Sequence, residues 1–300
     1  MAKRRRKKYS FKPRFYIIVA LFILLLVVLI KLIVGFIEGA DSMTASASAV
    51  EPNGIVIAID SGHDSQTDKG AIAAGGISEY QLNDAVSAAL EQELKSRGYT
   101  VTQTRALNSR EERSLNERVL EINEVWPDLL VSIHHNANED DSVKGFTIIY
   151  NSQKMDAYDG QYVKYKNNTY KVVKQEDGYI YYESGSREKR LKTEGNEDNY
   201  ELFDLAADEL VKQSIDAANE IYKSMSALSF ISPLSEKKEN VIINQNLQIL
   251  RQTHCVGLLV ECGFMTNDEE LAELTNEENQ KETAKSIADG IDAYFNEENN

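Results

Sequence analysis

From Gly54 onward, apolar runs of five or six residues alternate with stretches whose apolar residues recur every three or four positions. The first pattern marks buried strands, the second helices with one buried face. Residues 55–60 (IVIAID) read as a first strand. Ser78 and Gln81 have the spacing of a capping box for a helix that carries Leu82, Val86, Leu90 and Leu94 on one face and stops at Gly98. Residues 99–104 (YTVTQT) read as a strand, and Ser109 with Glu112 as the cap of a helix bearing Leu115, Val119 and Ile122. Residues 128–133 (DLLVSI) and 146–150 (FTIIY) follow as strands. Such alternation predicts an α/β fold with a single open mixed sheet flanked by helices.

The rhythm changes at Asn151. Residues 151–201 hold eight tyrosines in period-two alternation, with turn signals at Asn167-Asn168 and Glu176-Asp177-Gly178, and so predict an inserted small β-meander. Its tail, residues 184–199 (SGSREKRLKTEGNEDN), has the composition of a disordered or mobile segment. Helical spacing resumes with Leu205, Leu210, Ile215, Ala218 and Ile221, and a last helix is expected over residues 277–295.

The N-terminus obeys neither period. Residues 16–37 form a run of 22 whose only charge is Lys31. As a helix it is about 33 Å long, enough to cross a hydrocarbon core of roughly 30 Å. Eight of the first fourteen residues are basic and none is acidic, which orients the N-terminus inside and the rest outside. Ala45, Ala47 and Ala49 offer processing sites for a cleaved signal peptide, but the apolar run exceeds the usual h-region, so an anchor is the expectation. The organisation expected is therefore a basic cytoplasmic head (1–15), a transmembrane helix (16–37), a flexible linker (38–53) and a folded domain (54–296) on the extracytoplasmic side of the plasma membrane. The whole chain carries −15, and without the basic head the remainder carries −23, which argues against a nucleic-acid partner. Cys255 and Cys262 flank one strand, and about 23 Å of extended chain keeps them apart as free thiols.

One residue breaks the hydrophobic pattern conspicuously. Glu261 follows Leu258, Leu259 and Val260, and an ionised carboxylate in a buried strand needs a partner or a task. His63 and His134 each stand just past a predicted strand, on the edge where ligands collect in open α/β sheets. Glu79, in the first turn of the helix capped by Ser78, faces the same rim. Two imidazoles and a carboxylate with one open position suit zinc, and a second glutamate that does not bind the metal suits proton transfer. Each residue also has an ordinary reading: a loop histidine, a strand-end histidine, a helix-dipole carboxylate, and a glutamate paired with an arginine. Asn267 opposite Glu270 reads as a helix cap, and Asn136 as a residue orienting either the loop or substrate.

The stretches AIDSGHDSQTDKGA, ISEYQLN, Thr104-Arg105, LNERVLEIN, DLLVSIHHNA, GFTIIY, LQILR and LLVECGFMTN, in that order, resemble the zinc-dependent N-acetylmuramoyl-L-alanine amidases of the type-3 amidase family. The resemblance implies a Zn2+ held by His63, Glu79 and His134, with Glu261 as catalytic acid/base. It implies hydrolysis of the bond between the muramic acid lactyl group and L-alanine in peptidoglycan, the activity of an autolysin. Ser61 and Asp64 stand where the family usually has Pro and Gly, so a differently shaped loop around His63 is expected. His135 replaces a small or apolar residue, and strand alternation turns it away from His134. Two rivals remain: a zinc peptidase acting within the stem peptide, and a non-catalytic wall-binding regulator. In some relatives an insertion near residues 151–201 blocks the site until a partner removes it. This segment can extend a binding surface for glycan or stem peptide, be a solvated decoration, or fold over the site; the expectation is an autoinhibitory lid, whose acids (Glu176, Asp177, Glu183, Glu188) reach the metal, with an activating protein partner acting on it.

Overall fold

The computed structural model describes Lys31 and residues 50–154, 160–166, 168–185, 187–193 and 200–298. Six strands form the main sheet: β1 (Val56–Ser61), β2 (Thr100–Gln103), β3 (Leu129–Asn136), β4 (Thr147–Tyr150), and, later in the chain, Ile242–Asn244 and Val256–Phe264. Between them come α1 (Glu79–Ser96) and α2 (Leu115–Val125). A second sheet of β5 (Gly160–Tyr165), β6 (Asn168–Glu176), β7 (Tyr179–Ser184), β8 (Arg187–Lys192) and β9 (Tyr200–Leu205) interrupts the main one. The chain then continues through α3 (Ala207–Met225), β10 (Ile242–Asn244), α4 (Gln248–Arg251), β11 (Val256–Phe264), α5 (Asp268–Leu274) and α6 (Glu277–Glu298).

The main sheet has the order β10-β4-β11-β3-β1-β2. β11, β3, β1 and β2 run parallel, while β4 pairs antiparallel with β11 and parallel with β10, so the sheet is open and mixed as the alternation predicts. Strand residues alternate between two apolar layers. Ile57, Ile59, Val131, Ile133, Leu258 and Val260 pack toward α1, α3 and α6; Ala58, Leu130, Ile149 and Leu259 pack toward α2 and α4.

Local signals explain the ends of the elements. The capping box of Ser78 and Gln81 starts α1, and Asn267 caps α5 by accepting from Glu270 N. The helix α2 begins later than its sequence suggests: Ser114 with Glu117 forms the box, because Ser109 and Glu111 are drawn into the preceding turn around Ala106. β3 and β11 run past their expected ends, so His134 and Glu261 sit within strands. Cys255 and Cys262 are both buried and free.

The inserted meander is present with a fifth strand. β5 to β8 follow one another as hairpins, and β9 closes antiparallel on the free side of β5. Two expectations are corrected here. Residues 187–192, taken as disordered by composition, form β8, because Leu191 joins Val163, Ile180 and Tyr182 in a small core of their own. Leu205, taken as helical, ends β9 opposite Gly160. Residues 194–199 of that tail lie outside the described residues.

Among the described residues no helix is long and apolar enough to cross a membrane. The expected span at 16–37 lies outside them except for Lys31, which is helical.

Candidate active site

Parallel strands deliver the site's side chains to one end of the sheet. β1 ends at Ser61, two residues before His63, and Glu261 of β11 is in register with His134 of β3. Register partners on neighbouring strands point the same way about 4.8 Å apart, so Glu261 stands beside His134 on the α2 side of the sheet. The first turn of α1 brings Glu79 between the two histidines. Glu79 Oε1 lies 2.9 Å from His134 Nδ1 and Oε2 lies 3.1 Å from His63 Nε2. One ligand atom from each of the three residues lies within 4.8 Å of the others.

Two glycines make room for this approach. A Cβ at Gly62 would come within 2.2 Å of the His134 ring, and one at Gly70 within 2.4 Å of Glu79 Oε2. Gly70 also has φ +68°, where a side chain is strained in any case. His63 itself has φ 61°, a left-handed conformation rare for histidine, held by contacts beneath it.

Those contacts are a buried charge lattice. Arg118 on α2 donates to Asp60 Oδ1 (3.0 Å), Ser61 O (2.6 Å) and His63 O (2.6 Å). Arg105 donates to Ser61 O and Gly62 O and forms an ion pair with Asp84. All four charged side chains are at most 4% exposed. Burial works to raise the Asp60 carboxyl, but Arg118 and hydrogen bonds from Thr104 and Ser132 outweigh it and hold the carboxyl below its ordinary range. Ser61 takes part by donating to Asp84, and Asp64 accepts from Gln66 N, Thr67 N and Thr67 Oγ1. The two departures from the family pattern therefore both serve as hydrogen-bonding members of the His63 loop.

Asp68 completes the surroundings of His63, its Oδ2 2.9 Å from His63 Nδ1. The pair is one of charge, since Nδ1 finds no well-aligned hydrogen-bond acceptor among the described residues. Burial pushes the His63 imidazole down, but Glu79 and Asp68 together push it up to about 9. Burial also raises the Glu79 carboxyl, and its bonds to His134 and His63 lower it far more strongly.

Glu261 has the opposite environment. Burial pushes it up to about 7, with His134 opposing and Glu79 assisting, and its Oε2 is buried without a hydrogen-bond partner. No arginine pairs with it among the described residues, which removes the ordinary reading of this carboxylate. His135 points through to the other face, where Nδ1 meets Asn83 Oδ1 at 2.8 Å, and burial pushes it down to about 3. Asn136 has a loop role: its side chain accepts from Ala137 N and its carbonyl from Met265 N. Beside the cluster a cleft of about 310 Å³ is lined by His63, His134, Arg113, Leu115, Leu247 and Gln248 among others.

The chain matches, over residues 57–293, the family described as N-acetylmuramoyl-L-alanine amidase. It belongs to that family. An amidase-named protein of Buchnera aphidicola is 28% identical over 243 residues, which are 80% of this chain and 94% of the relative. The solved amidase Ami1 of Mycobacterium smegmatis is 17% identical with a TM-score of 0.59, covering 82% of this chain and 99% of its own. The CwlD amidase of Clostridioides difficile, solved in complex with the GerS lipoprotein, is 20% identical with a TM-score of 0.54, covering 81% of this chain and 98% of its own. In this member of the amidase family all four residues expected from the sequence meet at one end of the sheet. Asp60, Asp68, Arg105 and Arg118 are the additions; Asp60, an acid closing an apolar strand, carries the same signal in the sequence as Glu261.

The inserted sheet of this amidase lies elsewhere, and the lid expectation is corrected. Lys154 Nζ donates to Thr253 O and Cys255 O, just before β11, and Tyr162 and Phe203 pack against Trp126, just before β3. Both contacts are at the N-terminal ends of the parallel strands. Cys255 and Glu261 are six strand residues apart, about 20 Å. Glu176, Asp177, Glu183 and Glu188 are all solvent-exposed, and Glu176 pairs with Lys174 at 2.6 Å. The cause is the direction of β4, which descends from the catalytic end and delivers Asn151 to the far end.

Proposed function

We propose that this protein is a zinc-dependent peptidoglycan amidase that cleaves between the muramic acid lactyl group and L-alanine, held to the outer side of the plasma membrane by residues 16–37. The observation that carries the reading is the pairing of two unlike carboxylates beside two imidazoles. Glu79 is held ionised by His63 and His134, while Glu261, adjacent and desolvated, is poised near neutrality. The donor set fits zinc: two nitrogen ligands and one carboxylate, converging with one side open to the cleft.

When bound, zinc supplies a Lewis acid for the lactyl carbonyl and lowers the pKa of the attacking water. His63, Glu79 and His134 would hold it, with the Arg118 lattice and the Asp68 carboxylate supporting the position of His63. Glu261 accepts the proton of the water and hands it to the departing L-alanine nitrogen. Its elevated pKa makes it able to do both near neutral pH. The cleft walls, with Arg113 and Gln248, orient the stem peptide. A partner protein, as the CwlD–GerS complex exemplifies for a relative, is part of this reading.

The test is mass analysis of purified peptidoglycan digested with the zinc-loaded protein. Free stem peptides beginning with L-alanine, and glycan stripped of peptide, support the amidase. Shortened peptides still attached to muramic acid would establish the peptidase, and an unchanged polymer the non-catalytic regulator.

A further inference from the structure

The inserted sheet differs from its host in charge. Residues 160–193 contain eight Lys and Arg against four Asp and Glu, a net +4 in a chain of −15. The excess gathers at one edge. β9 and β5 dock on Trp126, and β8, at the opposite edge of the order β8-β7-β6-β5-β9, reads REKRLK with Arg187, Lys189, Arg190 and Lys192 exposed. On the face next to it, Arg190 lies 4.6 Å over the Tyr179 ring and Lys174 lies 4.6 Å over the Tyr181 ring. The result is a cationic edge with amphipathic rings beneath it, a composition that suits a lipid–water boundary.

The body's own N-terminus leaves at the same end. Asn53 N donates to Gly98 O, and Val56 N to Asp128 Oδ2, and Asp128 is two residues from Trp126, where the sheet docks. The tether expected from residues 16–37 thus joins the body at this end. The linker of 16 residues (38–53) has a root-mean-square reach of about 20–24 Å, short enough to keep the sheet within range of the surface.

We infer that the inserted sheet is a membrane-surface contact: β8 and the neighbouring face of β7 bind anionic phospholipid headgroups and hold the catalytic end turned away from the bilayer. The orientation rests on the anchor reading of residues 16–37; the headgroup contact rests on the charge of the sheet itself. Lysine on an edge strand also deters strand-to-strand pairing. Charge of either sign serves that purpose, whereas lipid binding requires cations, so charge reversal separates the two.

The experiment uses residues 51–300, a compact unit whose three apolar cores are complete within it. Co-sedimentation is measured with phosphatidylglycerol/phosphatidylcholine vesicles and with phosphatidylcholine alone. The expected result is binding only to the anionic vesicles, abolished by about 0.5 M salt because surface charge interactions are screened. It should fall at least tenfold in a variant with Arg187→Glu, Lys189→Glu, Arg190→Glu and Lys192→Glu, with unchanged hydrolysis of soluble fragments. Should that variant fail to fold, the same four changed to Gln give the same reading. Equal binding to both vesicles, or undiminished binding by the variant, overturns the inference, as does stronger binding to a soluble polyglycerol phosphate, which would assign the edge to a wall polymer. Resistance of the full chain to alkaline carbonate extraction reads the anchor separately. A chain that washes out while residues 51–300 still bind anionic vesicles removes the anchor and leaves the lipid contact standing.

Discussion

Replacing Arg118 by Met would test whether the His63 loop is held by buried charge. The substitution keeps much of the apolar stem and removes the donors to Asp60, Ser61 O and His63 O. Asp60, 2% exposed, then keeps only the hydroxyls of Thr104 (2.6 Å) and Ser132 (2.7 Å). Breaking one side of a buried pair costs roughly 3–5 kcal/mol, a large share of a total stability of about 5–15. At a urea dependence of about 2–3 kcal/mol per molar, the midpoint should drop by roughly 1–2.5 M. The pH dependence carries the diagnosis. In the parent, the folded-state pKa of Asp60 is depressed, so its contribution is present above the unfolded value of about 3.9 and lost as pH falls through the folded one. In the variant the chief lowering cause is gone and burial prevails, so the folded pKa lies above the unfolded value and the penalty grows as pH rises. Urea unfolding of metal-free protein should therefore show a smaller loss at pH 5 than at pH 8, and adding Asp60→Asn should restore part of the loss at pH 8. A loss under about 1 kcal/mol at pH 8, or an equal loss at both pH values, would refute the reasoning.

Further outcomes follow from the same geometry. Glu261→Gln should retain zinc, by metal analysis, while turnover on peptidoglycan falls about 10²- to 10⁴-fold; near-parental turnover removes Glu261 from proton transfer. Because the metal-free protein holds His63 protonated up to about pH 9, zinc binding should expel close to one proton at pH 7, and apparent affinity should rise about tenfold per pH unit from 6 to 8. Calorimetry in two buffers of different ionisation heat measures this, and a proton release of zero would contradict it. His135→Ala should leave zinc content unchanged, whereas His134→Ala should empty the site. Replacing residues 155–200 with a Gly/Ser linker should leave kcat/KM on soluble muropeptides within about twofold; a large increase would reinstate the lid.

Much of the site is legible because strand ends and helix starts are local signals. The strand ends at His134 and Glu261 give their common rim, and the Ser78 box places Glu79 there too. What the pattern conceals is tertiary. Arg118 sits on a helix face where a surface arginine looks no different, and only the packing of α2 against β1 turns it toward Asp60. The start of α2 is misread because Ser109 and Ser114 each have an acid three residues later, and the turn at Ala106 decides between them. The composition of β8 points to disorder or mobility, yet one leucine facing Ile180 pairs the strand where a neighbouring hairpin already exists. The position of the insertion is concealed most completely, since nothing local reveals that β4 runs against its neighbour.

That single reversed strand has a consequence for how the chain can change. An antiparallel β4 carries the polypeptide away from the reacting groups before the insertion begins, and α3 carries it back afterwards, so the junctions near Asn151 and Leu205 form a graft point insulated from turnover. Extra residues accepted there alter what the far end of the molecule can adhere to without disturbing the alignment of Glu261 with His134. A foreign module spliced between those junctions would thus redirect the enzyme to a new surface while leaving its chemistry intact.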